Sequence, residues 1–256
     1  MVIQNFDIKN ISPKSNEVQH ILDSIKEFGF IRICEFVDLD RLEVLQKEFE
    51  YGLSFNNYKY GYGKMARFDK LDKKLSSIKK FFDEPFFKAI IQEFWSEFPE
   101  ITNEYSFVHD YKYDDTTIYG HLHFDRRHQL KFMLYLTDVH TINYGAFSAI
   151  PKSNYLGKRL YEGSWKKALN IETANYDEID RLARLVPDDD YRYRAIPLLV
   201  TENDLNLNKC SLHKVIPLTG EAGTLIIFDT HVLHRGGVVQ ENFERKVLRL
   251  HSFPKQ

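Results

Sequence analysis

The chain predicts a mainly β fold with packed helices, a β-sandwich of the jelly-roll type. Three observations carry that expectation. The first hundred residues show helical apolar spacing, the segments after residue 105 are short and β-rich, and turn signals punctuate them. A chain of 256 residues can bury one large core, so residues 1–256 are read as a single domain.

Val18, Ile21, Leu22, Ile25 and Phe28 recur at helical spacing, and Gly29 ends the run. Residues 30–36 follow as a strand. Asp40 and Glu43 read as a capping box opening a second helix through Leu45 and Phe49. Residues 51–64, rich in Tyr, Asn and Gly, read as a loop over the β-structure. Residues 71–98 read as one or two helices broken at Pro85. Strands are then expected at residues 106–113, 117–125, 130–137 and 146–150, and finally at 225–229 and 246–253. Residues 158–219 interrupt them with a helical piece near 179–185, the acidic run Asp188-Asp189-Asp190 and polar turns. An interruption of this length is expected to act as a lid, with Trp165, Tyr176, Tyr191 and Tyr193 giving it aromatic weight to pack. The plainer alternative is an insertion that only extends the sheet.

Charge and cysteine content narrow the classes. Lys and Arg number 35 against 37 Asp and Glu, for a formal net charge of -2, without the basic excess of a nucleic-acid binder. The two cysteines, Cys34 and Cys210, are far apart and form neither a disulfide framework nor a thiolate metal site. No segment has the length and apolarity to span a membrane, and the N-terminus lacks a basic flank before an apolar run. The expectation is a cytoplasmic protein whose partner is a small molecule; the sequence assigns no oligomeric state.

The chemistry concentrates in Gly120-His121-Leu122-His123-Phe124-Asp125 and, far downstream, His234-Arg235-Gly236-Gly237. On an extended strand, His123 and Asp125 point to the same side. A His from a distant segment completes two nitrogens and one oxygen, a set that holds iron on one face and leaves the other open. His234 is the candidate and His231 its rival. His121 shares the parity of His123 and reads as a contact beyond the metal ligands or as a core histidine. His109-Asp110 reads as unrelated. Arg245, eleven residues after His234, is placed to fork onto the carboxylate of a bound 2-oxo acid. Arg249 shares its face and is the fallback, and Lys131 is a further candidate to hold a carboxylate. Arg126-Arg127 read as loop cations, with a role at the cavity mouth as the sharper alternative.

Residues 118–154, which contain the His123-x-Asp125 pair and end in Pro151-Lys152-Ser153-Asn154, resemble the core of the phytanoyl-CoA dioxygenase family. Residues 223–237 resemble that family's second metal segment, and residues 29–37 its opening helix–strand unit. The resemblance implies a double-stranded β-helix (cupin-like) barrel and a metal set of His123, Asp125 and His234. It also implies Fe(II), 2-oxoglutarate and O2 as cofactors, with Arg245 at the offset of the 2-oxoglutarate clamp. Succinate and CO2 would be released as a small molecule is hydroxylated, and the polar face of the last strand (Arg245, Arg249, His251) points to a polar or anionic one. The family commonly ends its post-metal loop in His where this chain has Asn154, so a role borrowed for that loop does not transfer. Related halogenating enzymes lack the carboxylate, so Asp125 favours hydroxylation over chlorination. Desaturation, cyclisation or epimerisation with the same cofactors remains open, as does a non-catalytic cupin-like metal-binding or sensing protein.

Overall fold

The computed structural model describes residues 2–4, 16–55, 57–60, 63–111, 120–196, 199–200, 205 and 214–255. β1 (Val2–Gln4) pairs parallel with β2 (Phe30–Cys34), and α1 (Asn16–Phe28) lies between them in the chain. Gly29, at φ +87°, ends α1 with its N–H on the Ile25 carbonyl, a left-handed turn that suits glycine. α2 (Leu39–Phe55) is capped by Asp38, whose carboxylate accepts the Arg41 N–H at 2.9 Å. The expected box on Asp40 therefore shifts two residues upstream. Residues 51–64, read as a loop, instead finish α2 and form a hairpin of β3 (Asn57–Tyr60) and β4 (Gly63–Phe68). Its Tyr–Asn–Gly composition signals turns, whereas cross-strand pairing determines its state.

A 3-10 turn (Lys73–Leu75) leads into α3 (Ser76–Phe82), and Pro85 opens α4 (Pro85–Phe94) at its first turn, where no N–H is needed. β5 (Ile101–Asp110) and β6 (Leu130–Tyr135) flank the closing strand of the fold. β7 (Ser148–Ala149) precedes three helices, α5 (Asn154–Leu169), α6 (Tyr176–Arg184) and α7 (Tyr191–Ala195). The chain ends through β8 (Ile216–Pro217), β9 (Leu225–Asp229), β10 (His234–Arg235) and β11 (Arg245–Pro254).

An eight-stranded sheet runs β1-β2-β9-β6-β11-β5-β4-β3, and a three-stranded sheet runs β10-β7-β8. Strand alternation divides the large sheet's faces. Ile31, Ile33, Phe107, Phe132, Leu134, Ile227, Leu248 and Leu250 face helices α1 to α4. There Phe36, Phe81, Phe82, Phe86 and Phe87 meet edge-to-face or tilted, at 4.9–6.1 Å between centroids. Each fully buried ring contributes roughly 2–3 kcal/mol. The other face packs Met133, Tyr135, Ile226 and Val247 against Ala149 of the small sheet and against Ala146, Phe147 and Leu218, which flank its strands. The expected barrel does not close among the described residues. β7, β8 and β10 are two-residue strands, too short to close the small sheet onto both edges of the large one, which is antiparallel except for the β1–β2 pair.

α5 to α7 form a third body over residues 122, 124, 150 and 233, around Tyr161, Trp165 and Ile179. The sequence reading found only part of α6 here and missed α5, whose polar and aromatic stretch carries weak apolar periodicity. α5 approaches closely enough that a Cβ at Gly157 would meet the His231 carbonyl at 1.8 Å. No described helix is long and apolar enough to cross a membrane. Cys34 is a free thiol, and Cys210 lies outside the described residues.

Candidate active site

His123 and Asp125 do not sit on a continuous strand. Among the described residues the expected strand 117–125 reduces to two isolated bridges of His123, with His234 and with Leu199, and residues 112–119 lie outside the described residues. His123 and His234 exchange backbone N–H···O bonds of 2.8 and 2.9 Å, while β10 pairs with β7 on its far side. The His123 Nδ1 lies 2.8 Å from the His121 carbonyl, and the His234 Nδ1 lies 2.7 Å from the Val232 carbonyl. A carbonyl only accepts, so these contacts assign the proton to Nδ1 and the lone pair to Nε2 in both rings. The two Nε2 atoms face Asp125 Oδ1 at 4.0 and 3.6 Å, with ring centroids 4.5 Å apart. Lys131 donates to the other carboxylate oxygen.

Electrostatics complete the donor set. Burial, then the neighbouring His234, lowers His123 to about 4, so it is neutral at physiological pH. Burial pushes Asp125 up, but Lys131 and the two imidazoles hold it well below the usual carboxylate range. Lys131 is itself lowered by burial, partly offset by Asp125. Two imidazole Nε2 atoms and one carboxylate oxygen within 4.8 Å of one another fit a first-row divalent ion such as Fe(II). Phe147 and Phe228 flank the His234 ring at 5.5 and 5.2 Å, an apolar wall that fixes its orientation.

The cluster borders a cavity of about 260 Å3 floored by β4, β5, β6 and β11. Arg245, Arg249 and His251 alternate on one face of β11, and all three line it. Arg245 is fully buried and already forked. Its Nε donates to Asp110 Oδ2 at 2.9 Å, Nη2 joins it on that oxygen, and Nη1 donates to the Gly145 carbonyl. Asp110, read from sequence as unrelated, is thus the partner of Arg245 across the β5–β11 register. Arg249 differs: its Nε is buried and makes no hydrogen bond among the described residues. Lys131 lies on a central strand between β9 and β11, not on an edge.

His121 is exposed and does not line the cavity; only its carbonyl serves the site. His231 lies in a different cluster, with His128 and Asp229. Arg126 and Arg127 are more than loop cations. Both line the cavity and stand over the Tyr193 ring at 5.2 Å, and Arg127 pairs with Asp188 at 2.7 Å. Sequence reading missed Arg67 and Glu104 on the cavity wall. Alternation of Met65 with Arg67 was the available signal, masked because the preceding residues read as a loop.

The family model for phytanoyl-CoA dioxygenase matches residues 25–247. The chain therefore belongs to the phytanoyl-CoA dioxygenase family of Fe(II)- and 2-oxoglutarate-dependent oxygenases. Among solved structures, it resembles the non-heme α-ketoglutarate-dependent carbocyclase SnoK from nogalamycin biosynthesis. The TM-score is 0.59 at 14% identity, covering 96% of this chain and 85% of that one. It also resembles the epimerase SnoN of the same biosynthesis (TM-score 0.57, 11% identity, 93% and 83% covered). HygX from Streptomyces hygroscopicus, bound to nickel, 2-oxoglutarate and hygromycin B, gives 0.57 at 12% identity, with 94% and 88% covered. At these identities the likeness speaks to the fold. A search of curated proteins finds no match.

Proposed function

We propose that the chain is an Fe(II)- and 2-oxoglutarate-dependent hydroxylase of a small polar or anionic molecule, with His123, Asp125 and His234 as the metal ligands. The observation that carries the reading is the convergence of two lone-pair nitrogens and a carboxylate oxygen beside a charged cavity, each ring held from behind by a backbone carbonyl. When bound, Fe(II) with 2-oxoglutarate and O2 supplies the oxidising power, and the cosubstrate leaves as succinate and CO2.

The chain's own residues contribute position and charge. Lys131 holds the outer oxygen of Asp125 and so turns the inner one toward the imidazoles. Arg249, with its unpartnered Nε, and Arg245, braced by Asp110, offer guanidinium groups to the cosubstrate's far carboxylate. Among the described lining residues Lys131 answers Asp125, Arg127 answers Asp188 and Arg245 answers Asp110, which leaves three cations, Arg67, Arg126 and Arg249, against one further carboxylate, Glu104. That cationic excess favours an anionic or polar substrate. The region 158–219 acts as the lid within one domain, since Asp188 and Tyr193 reach the cavity wall and Arg126 donates to the Ile196 carbonyl.

A second reading keeps the metal and cosubstrate and ends in ring formation or epimerisation, and the SnoK and SnoN likenesses support it. Anaerobic reconstitution with Fe(II) and 2-oxoglutarate, then O2 and a panel of small anions, tests both. Succinate formed in step with a product one oxygen heavier supports hydroxylation. Succinate formed with an isomeric or dehydrogenated product selects the second reading. Metal binding without succinate would return the chain to the non-catalytic alternative.

A further inference from the structure

The two segments that build the cavity cluster also build another. They run antiparallel: His123 faces His234, Asp125 N–H donates to the Thr230 carbonyl at 3.4 Å, and Thr230 N–H donates to the Gln129 carbonyl at 3.0 Å. One segment reads His123-x-Asp125-x-x-His128, and the other reads Asp229-x-His231-x-x-His234. At one end His-x-Asp meets a lone His from the opposite segment. At the other end Asp-x-His meets a lone His, so the pattern recurs in reverse.

We propose that His128, Asp229 and His231 form a second binding site, separate from the cavity, for a divalent cation of the zinc class. His128 Nε2 and His231 Nδ1 lie 3.1 and 3.4 Å from the same oxygen, Asp229 Oδ1, and the donor atoms fall within 4.8 Å of one another. His128 Nε2 is buried and makes no hydrogen bond among the described residues, its approach to the carboxylate being off line. The opposite ring nitrogens, His128 Nδ1 and His231 Nε2, both meet the Tyr176 hydroxyl, at 3.2 and 3.3 Å. That oxygen has two lone pairs and can accept from both rings. With a cation bound, the protons sit on the two nitrogens facing Tyr176, and the His128 Nε2 and His231 Nδ1 lone pairs face the ion beside Asp229, whose Oδ1 also accepts the His231 backbone N–H at 2.9 Å. A hydrogen-bonded partner behind each imidazole is the arrangement that orients metal-bound histidine.

Access agrees. Asp229 also lines a surface groove with Asp23, Lys26, Glu93 and Asn154, whose opening admits water as a further ligand and where the carboxylates outnumber the one lysine. The ion would tie the residue 128 segment to the end of β9 and, through Tyr176, to the first residue of α6. Its role is to pin the lid helices to the large sheet. Arg184 already does this in part, donating to the His128 carbonyl at 3.4 Å and to Asp180 at 3.0 Å.

The test counts metal in the purified full chain after equilibration with Zn2+ or Co2+ and removal of excess. The native protein is expected to hold two equivalents, Asp125→Ala one, and the double variant His128→Gln/His231→Gln one. A single equivalent in the native chain overturns the proposal, as does a second equivalent that survives the double Gln substitution. If the double variant fails to fold, Tyr176→Phe decides, because it removes one hydroxyl only. Affinity for the second equivalent should then fall roughly 10–100-fold, and unchanged affinity overturns the site. Zn2+ should also raise the unfolding midpoint of Asp125→Ala, in which the cavity set is broken, and no shift there counts against the proposal.

Discussion

The cavity cluster and the Tyr176 cluster use the same residue types on the same pair of backbone segments, yet their surroundings differ. Around His123, Asp125 and His234 the ring nitrogens are backed by carbonyls, and the open side meets a cavity of about 260 Å3 carrying Arg67, Arg245 and Arg249. Around His128, Asp229 and His231 the backing group is a phenol, and Phe94 and Trp95 close on the His128 ring at 6.0 and 4.9 Å. The first arrangement leaves room for cosubstrate and substrate beside the ligands. The second opens through Asp229 onto a surface groove whose described lining carries no arginine. On the proposed reading each set holds a metal, and the charge beside it decides between chemistry and structure.

The largest expected effect separates the two clusters outright. Asp125→Ala should abolish 2-oxoglutarate-dependent succinate formation, whereas His231→Gln should keep it in any preparation that remains folded. Loss of turnover in both variants alike would erase the distinction.

Next come the two arginines of β11. Arg245→Met breaks its buried ion pair with Asp110 and should cost about 3–5 kcal/mol of stability, read as a fall in the denaturation midpoint. Arg249→Met breaks no such pair among the described residues. If it holds the cosubstrate, it should raise the 2-oxoglutarate KM by roughly 10–100-fold, the loss of a charged hydrogen bond worth about 1.5–3 kcal/mol. An unchanged KM would return the clamp to Arg245 alone.

Lys131→Met sharpens the cavity side further. It removes the cation on Asp125 Oδ2, and iron affinity should fall roughly 10–100-fold while cosubstrate affinity, measured at saturating metal, moves less. Equilibrium metal titration reads this directly.

The smallest effect is on pH. His123, at about 4, and His231, well below its ordinary value, bind fewer protons folded than unfolded. Stability of the metal-free protein is then fully present above the unfolded value of about 6.5 and falls as pH drops from there toward 4. His123 accounts for on the order of 3 kcal/mol of that loss at its lower limit. Denaturant titrations between pH 7 and pH 4 should show a declining midpoint. A flat profile would mean that the buried rings are not held neutral.

Much of this was legible in the sequence where local signals agree with the fold. The apolar spacing of Val18 to Phe28 and the stop at Gly29 gave α1, residues 225–229 coincide with β9, and the His-x-Asp pair with a distal His gave the cavity cluster. Long-range pairing was not legible. β3 and β4 are strands because β5 receives them, and Asp110 matters because the β5–β11 register sets it opposite Arg245. Likewise, the reversed spacing of Asp229-x-His231 gains meaning once Thr230 is seen against Gln129.

The most direct test of the central claim is the visible absorption that arises when Fe(II) is added anaerobically to protein and 2-oxoglutarate, since a 2-oxo acid chelated to Fe(II) is coloured. The native chain and His231→Gln should develop the band, and His123→Ala and Asp125→Ala should not. A band that persists without Asp125 and His123, or that is lost with His231 alone in folded protein, would contradict the assignment of the cavity cluster as the site of oxidation.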